Sequence, residues 1–208
     1  GPRQYRQGTV SSDDTLHGPP ADDAPSGDLT GSGLIAEKSK RLLKLDQMRA
    51  AGGNPYPYRF DRTSTLAELR AQHGALDAGT ETETEVAIAG RVMLMRDSGK
   101  LIFATVRDRD DEVQLFVSKA VVGDEAFEAL RNLDLGDWVG VHGTVMTTRK
   151  GELSVKVQHF QLLSKAVRPF PDKWHGLTDT DTRFRQRYAD LIVNEEARRS
   201  FRIRHEVI

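Results

Sequence analysis

The sequence predicts a mostly β fold with helices: a five-stranded Greek-key barrel preceded by a helix and followed by a connector that leads into a further helical element. Three observations predict it. Apolar spacing is helical near residues 37–51 and becomes an alternation of period two from Glu85 onward. Five such alternating runs, bounded by turn residues, fill residues 85–165. Between the third and fourth runs lies one stretch of helix formers with an acidic start, Gly123 to Leu130.

The 208 residues are 38% hydrophobic and 29% charged, which suits one medium or two small soluble domains. Thirty basic and thirty-one acidic side chains nearly cancel, so any partner must be read locally rather than from a global field. With no Cys there is no disulfide framework, thiol nucleophile or Cys-based zinc site. No uncharged apolar run approaches the roughly 18 residues of a bilayer span.

The elements follow in order. Gly, Pro, Ser, Thr and Asp supply two-thirds of residues 1–33, a composition expected to stay disordered as a linker. The opening Gly1-Pro2-Arg3-Gln4 has no Met and no apolar targeting core, so the chain is expected to be a piece of something larger. Order is expected from Leu34, with a helix over Glu37 to Ala51 that Gly52-Gly53 stops. Helical spacing sets Leu42, Leu45 and Met48 on one stripe, with Lys40 and Lys44 as a basic, solvated flank. Pro55-Tyr56-Pro57-Tyr58 forces extended backbone, and Thr65 to Arg70 starts a short helix with a Thr63 or Ser64 cap. Residues 34–84 thus form an N-terminal helical segment.

The barrel strands are expected at Val86 to Met95, Leu101 to Arg107, Val113 to Val117, Trp138 to Thr148 and Leu153 to Leu163. Tight turns occur at Asp97-Ser98-Gly99-Lys100 and Arg149-Lys150-Gly151-Glu152. Three strands, a helix and two strands are the order of an OB-fold, a five-stranded Greek-key barrel. A β-sandwich needs about seven strands and carries no helix at this place. Residues 166–208 read as a connector, stiff at Arg168-Pro169-Phe170-Pro171 and helical from Arg183.

No phosphate loop, His-Glu-x-x-His or Gly-x-Ser-x-Gly motif is present. The six His are scattered without ligand spacing. The acidic run Asp108, Asp110, Asp111 and Glu112 lacks the Gly and Glu of a calcium loop and is expected to be a solvated hairpin turn. No catalytic, cofactor or metal residue is therefore assigned. The barrel offers a binding face instead. Phe103 lies mid-strand with Ile102 and Ala104 on the opposite side, Gln114 is mid-strand three, and Arg96 ends strand one. On one face they would supply a stacking platform, a two-way hydrogen-bonding amide and a donor. The pattern alone leaves Phe103 open to a core role and Gln114 to an ordinary outward one.

Outside support comes from motifs. Arg168-Pro169-Phe170-Pro171-Asp172-Lys173-Trp174-His175-Gly176-Leu177-Thr178-Asp179, continued by Arg183 to Ile192, resembles the connector of class II lysyl-tRNA synthetases. Gly90-Arg91-Val92, Ser98-Gly99-Lys100, Asp137, Lys150 to Ser154, and Gly52 to Pro57 agree with the N-terminal anticodon-binding domain of that family. The resemblance implies that Arg96, Phe103 and Gln114 bind the middle anticodon base, a uridine, and that Glu152 reads a neighbouring base. It implies tRNA-Lys and a parent catalytic domain as partners, a homodimer in the full-length synthetase, and no direct membrane contact by these residues. It also implies ATP and Mg²⁺ in the parent catalytic domain and no cofactor here. Motif 1 would start near Arg202 while motifs 2 and 3 are absent, so these residues are expected not to aminoacylate.

The polar tail before the barrel resembles the junction in bifunctional lysylphosphatidylglycerol synthase/lysyl-tRNA synthetases. That parent would supply lysyl-tRNA for lysylphosphatidylglycerol and resistance to cationic peptides. The barrel would then be cytoplasmic and its parent anchored by an N-terminal membrane domain. Two alternatives stand beside this reading: a fragment of the housekeeping lysyl-tRNA synthetase, and a protein-interaction barrel that binds no RNA. The second draws on the near-balance of charge between Glu85 and Lys165.

Overall fold

The computed structural model describes residues 32–170 and 179–208. The expected linker, apart from its last two residues, and residues 171–178 of the connector motif lie outside the described residues.

Helix α1 spans Ser32–Ala50, and its buried stripe differs from the expected one. Leu45 is buried and Met48 half-buried, but Leu42 is exposed and Arg41 is only 5% exposed. Arg41 can be buried because oxygens meet its guanidinium. It donates to the carbonyls of Leu135 at 2.9 Å and Ala166 at 3.3 Å, and to Glu37 at 3.2 Å. Lys44 is likewise no solvated flank, since its Nζ lies 2.7 Å from Asp134. Charge, not only the Leu stripe, docks this helix.

Helix α2 spans Leu66–His73 and is capped by Thr65, not by Thr63 or Ser64. Thr65 Oγ1 accepts from Glu68 N–H, and the Glu68 carboxylate accepts from Thr65 N–H at 2.8 Å, a reciprocal capping box. Thr63 is occupied elsewhere, because its Oγ1 accepts from Ala87 N–H at 2.9 Å. The acidic turn after residue 107 also differs from the solvated hairpin expected: Asp108 accepts the Leu66 N–H at 2.9 Å and Asp111 pairs with Arg70 at 2.8 Å. It holds the start of α2 against the barrel.

The barrel strands are β1 (Glu81–Asp97), β2 (Leu101–Arg107), β3 (Glu112–Ser118), β4 (Trp138–Thr147) and β5 (Leu153–Ser164). They close in the order β1-β2-β3-β5-β4, antiparallel throughout except for the parallel β3–β5 seam. Closure leaves no free edge. Short α3 (Lys119–Val122) and α4 (Asp124–Arg131) join β3 to β4, where the sequence anticipates one helix. Phe127 and Leu130 from α4, with Leu66 and Leu69 from α2, enter the same core as Ile102, Leu115, Val141 and Val155. The expected OB-fold is the fold observed.

Strand β1 serves two neighbours, pairing with β4 up to Arg91 and with β2 from Arg91 onward. Its register shifts between Val92 and Leu94, a bulge at Met93. Near β4, Lys165 and Asp137 are fully buried as a pair 2.8 Å apart. Asp137 also accepts the N–H groups of Asp134 and Ala166 at 2.8 and 2.7 Å. Beyond the barrel come α5 (Thr180–Arg185), α6 (Arg187–Val193) and α7 (Glu195–Val207). Arg202 of α7 ties them to the β2–β3 turn through the Arg109 carbonyl at 2.8 Å.

Candidate nucleic-acid interface

In β2 the odd-numbered residues are half-buried and the even-numbered ones fully buried, so Phe103 points outward while Ile102 and Ala104 enter the core. Strand β3 repeats this, with Gln114 and Phe116 outward and Val113, Leu115 and Val117 inward. Cross-strand partners share a face, so the ladder register assembles the surface. One row reads Arg96, Phe103, Phe116, Lys156 across β1, β2, β3 and β5. The adjoining row reads Leu94, Thr105, Gln114, Ser154. Arg96, Phe103 and Gln114 are thus brought onto one face.

Arg96 reaches that face only because of the bulge. Strict alternation from inward Val92 would turn Leu94 and Arg96 inward as well. The extra residue at Met93 reverses the parity, setting Met95 opposite buried Ala104 and Arg96 opposite Phe103. Arg96 is exposed, and its neighbour Asp97 is engaged by another cation. Arg131 of α4 lies 2.6 Å from Asp97 and donates to the Gly99 carbonyl at 2.8 Å. The hydrogen bond from Arg131, helped by the Gly99 N–H, holds the Asp97 carboxyl below its ordinary range. The β1–β2 turn beside the face is fixed in this way.

The Phe103 ring meets the Phe116 ring edge-on, with centroids 5.5 Å apart and planes at 66°. Both rings are half-buried, so this edge contact leaves aromatic surface on the outer face for a planar ligand. Gln114 Nε2 donates to Ser154 Oγ at 3.0 Å, and Ser154 Oγ donates to the Glu152 carbonyl at 3.1 Å. With its single proton used on Glu152, the Ser154 hydroxyl can only accept from Gln114, which fixes the amide orientation. Gln114 Oε1 then has no protein donor among the described residues, so it can accept one from a ligand.

Glu152 sits in the β4–β5 turn, where Thr148 N–H donates to the Glu152 carbonyl at 2.9 Å and Gly151 adopts φ of 81°. A side chain there would be strained. The Glu152 carboxylate is exposed at the rim and joins the Gln114 row only through its backbone. Sequence reasoning missed Phe116 and Lys156. Phe116 was within reach of it, two residues beyond Gln114 on an alternating strand, whereas Lys156 joins the row only through the parallel seam. Among the described residues no cluster of His, Cys, Asp and Glu could hold a metal ion, and no helix is long and apolar enough to cross a membrane.

Residues 86–163 match the family described as OB-fold nucleic acid binding domain, and the closed five-stranded barrel agrees with the fold of that match. The wider chain is similar to lysine–tRNA ligases. It is 46% identical over 167 residues to the lysine–tRNA ligase of Synechococcus sp. strain CC9311, covering 80% of this chain and 34% of that protein. The lysine–tRNA ligases of Magnetococcus marinus and Enterococcus faecalis are each 47% identical over 170 residues, covering 81% of this chain and 34% of theirs. The chain spans about a third of the length of these relatives.

Proposed function

We infer that the chain is the tRNA-anticodon-binding module of a lysine–tRNA ligase, recognising tRNA-Lys by stacking and hydrogen bonding to anticodon bases. The observation that carries this reading is the outward row in which Arg96, Phe103 and Phe116 stand together beside Gln114. A uridine laid on Phe103 would give its imino N–H to Gln114 Oε1 and receive a donor from Arg96 at a carbonyl oxygen. Cytidine presents a lone pair where uridine has that N–H, so two acceptors would face each other and neither would be satisfied. Glu152, at the rim, would accept from a neighbouring base. The similarity to lysine–tRNA ligases supports lysine as the amino acid, with ATP and Mg²⁺ used in a catalytic domain of the parent, a partner of this barrel in a dimeric full-length enzyme.

The bifunctional parent, which would pass lysyl-tRNA to phosphatidylglycerol from a membrane-anchored protein, is supported by the tail composition of residues 1–33. Several apolar spans encoded upstream of Gly1 would bear it out, and a nearby start codon would favour the housekeeping enzyme. The anticodon reading is tested by titrating the chain with a tRNA-Lys anticodon stem-loop and with the same loop carrying cytidine at the middle position. Binding is expected to weaken by about tenfold or more, the cost of an unsatisfied buried polar contact. Equal affinities would overturn base reading, and binding of neither loop would leave the protein-interaction alternative.

A further inference from the structure

A second feature lies at the far end of the same sheet face. Arg107 follows Phe103 by four residues on β2, about 13 Å along the strand at 3.3 Å per residue. There a cavity of about 170 Å³ opens between the barrel and helices α6 and α7, lined by Arg91, Arg107, Arg198, Asp108, Trp138 and Ile192 among others. The charges around it are unequally matched. Arg107 is occupied, paired with Glu112 and donating to the Ile192 carbonyl at 3.2 Å. Asp108 is occupied as well: one oxygen accepts from Leu66 N–H, and the other from the N–H groups of Asp110 and Asp111 at 2.9 and 3.1 Å.

Arg91 and Arg198 are different. Arg91 gives one hydrogen bond, to the Gly136 carbonyl at 3.1 Å, and Arg198 gives one, to the Ile192 carbonyl at 3.0 Å. Each guanidinium carries five N–H groups, so both keep donors without a protein acceptor among the described residues. Neither has a carboxylate within ion-pair distance there. The Arg91 guanidinium is held in place by lying 5.2 Å from the Trp138 ring and 5.8 Å from Phe170. Burial lowers the affinity of Arg91 for its proton, and burial together with nearby Arg107 does the same for Arg198, against a smaller opposing pull from Glu195 and Glu112. Like charges gathered in a partly desolvated cleft are costly without an anion, and forked donors suit a tetrahedral oxyanion.

We propose that the cavity between the barrel and α6–α7 is a phosphoryl-binding site, in which Arg91 and Arg198 hold a phosphate group and Trp138 forms one wall. The group comes either from a free phosphate or from a backbone phosphodiester of bound RNA. The site does not depend on anticodon reading, because its ligand can be tested without RNA.

The test uses the full 208-residue chain. Inorganic phosphate is titrated by calorimetry at constant ionic strength, against chloride as the control. Saturable one-site binding is expected, weakened about tenfold in Arg198→Lys and in Arg91→Met, the loss of one charge-assisted hydrogen bond. The Lys variant keeps a cation and can still reach the Ile192 carbonyl, and far-UV circular dichroism checks the folding of both. A wild-type chain that shows no saturable phosphate binding overturns the proposal, as does a folded Arg198→Lys variant that binds like the wild type. Titration with tRNA-Lys over a salt series separates the two sources. A salt slope lower by about one in Arg91→Met, which removes a charge, assigns the site to RNA backbone, while an unchanged slope alongside lost phosphate binding assigns it to a free anion.

Discussion

Replacing Phe103 by Leu removes an aromatic face but keeps most of an apolar side chain on the sheet. The ring is half-buried and touches Phe116 edge-on, so the variant forfeits one aromatic pair, about 0.5–1.5 kcal/mol of folding stability. A domain with a typical stability of about 5–15 kcal/mol stays folded through that loss. RNA binding loses more. A base stacked on the ring contributes about 1–3 kcal/mol, so stem-loop affinity is expected to fall roughly 5- to 150-fold. Phe116→Ala removes only the ring that braces Phe103, and its effect on affinity is bounded by the pair energy, roughly two- to twelvefold. Fluorescence anisotropy with a labelled tRNA-Lys anticodon stem-loop at fixed salt measures both, with a thermal melt of each variant alongside. A Phe103→Leu variant that binds as tightly as the wild type, or a Phe116→Ala change that proves the more damaging, would refute stacking on Phe103.

Three further outcomes concern the scaffold. Lys165→Met leaves Asp137 buried with only its backbone donors, so unfolding in urea is expected to show a loss near the lower end of about 3–5 kcal/mol; a loss under about 1 kcal/mol would refute the clamp. Gly143→Ala would set a Cβ 2.1 Å from the Lys156 carbonyl oxygen, and the forced backbone shift should cost about 1–3 kcal/mol, read as a fall in melting temperature. Burial alone would raise the Asp134 carboxyl, but hydrogen bonds from Lys165 and Lys44 outweigh it and hold the group below its ordinary value of 3.8. The folded state then binds that proton less readily than the unfolded one. The stabilisation is present above about pH 4 and lost as pH falls below it through the lower folded value. Lys44→Met should flatten this acid limb of a stability–pH curve.

The sequence alone determined the order of strands, because alternation and turn residues are local properties, and β2 falls on the residues expected, Leu101–Arg107. It also determined that Phe103 and Ile102 face opposite ways, since the period of a strand is two. Arg41 was not legible, because a guanidinium on a helix reads as solvated until carbonyls from distant Leu135 and Ala166 arrive to accept from it. The Asp108 turn misled for the same reason, its partner amide lying 42 residues away in the chain. The site divides along the same line. Phe103 and Gln114 owe their outward direction to their own strands. Arg96 faces outward only through the Met93 bulge, and the Gln114 amide is oriented only because barrel closure lays Ser154 beside it. Register shifts and parallel seams join residues far apart in the chain, so no local period encodes them; the closing of the barrel decided them.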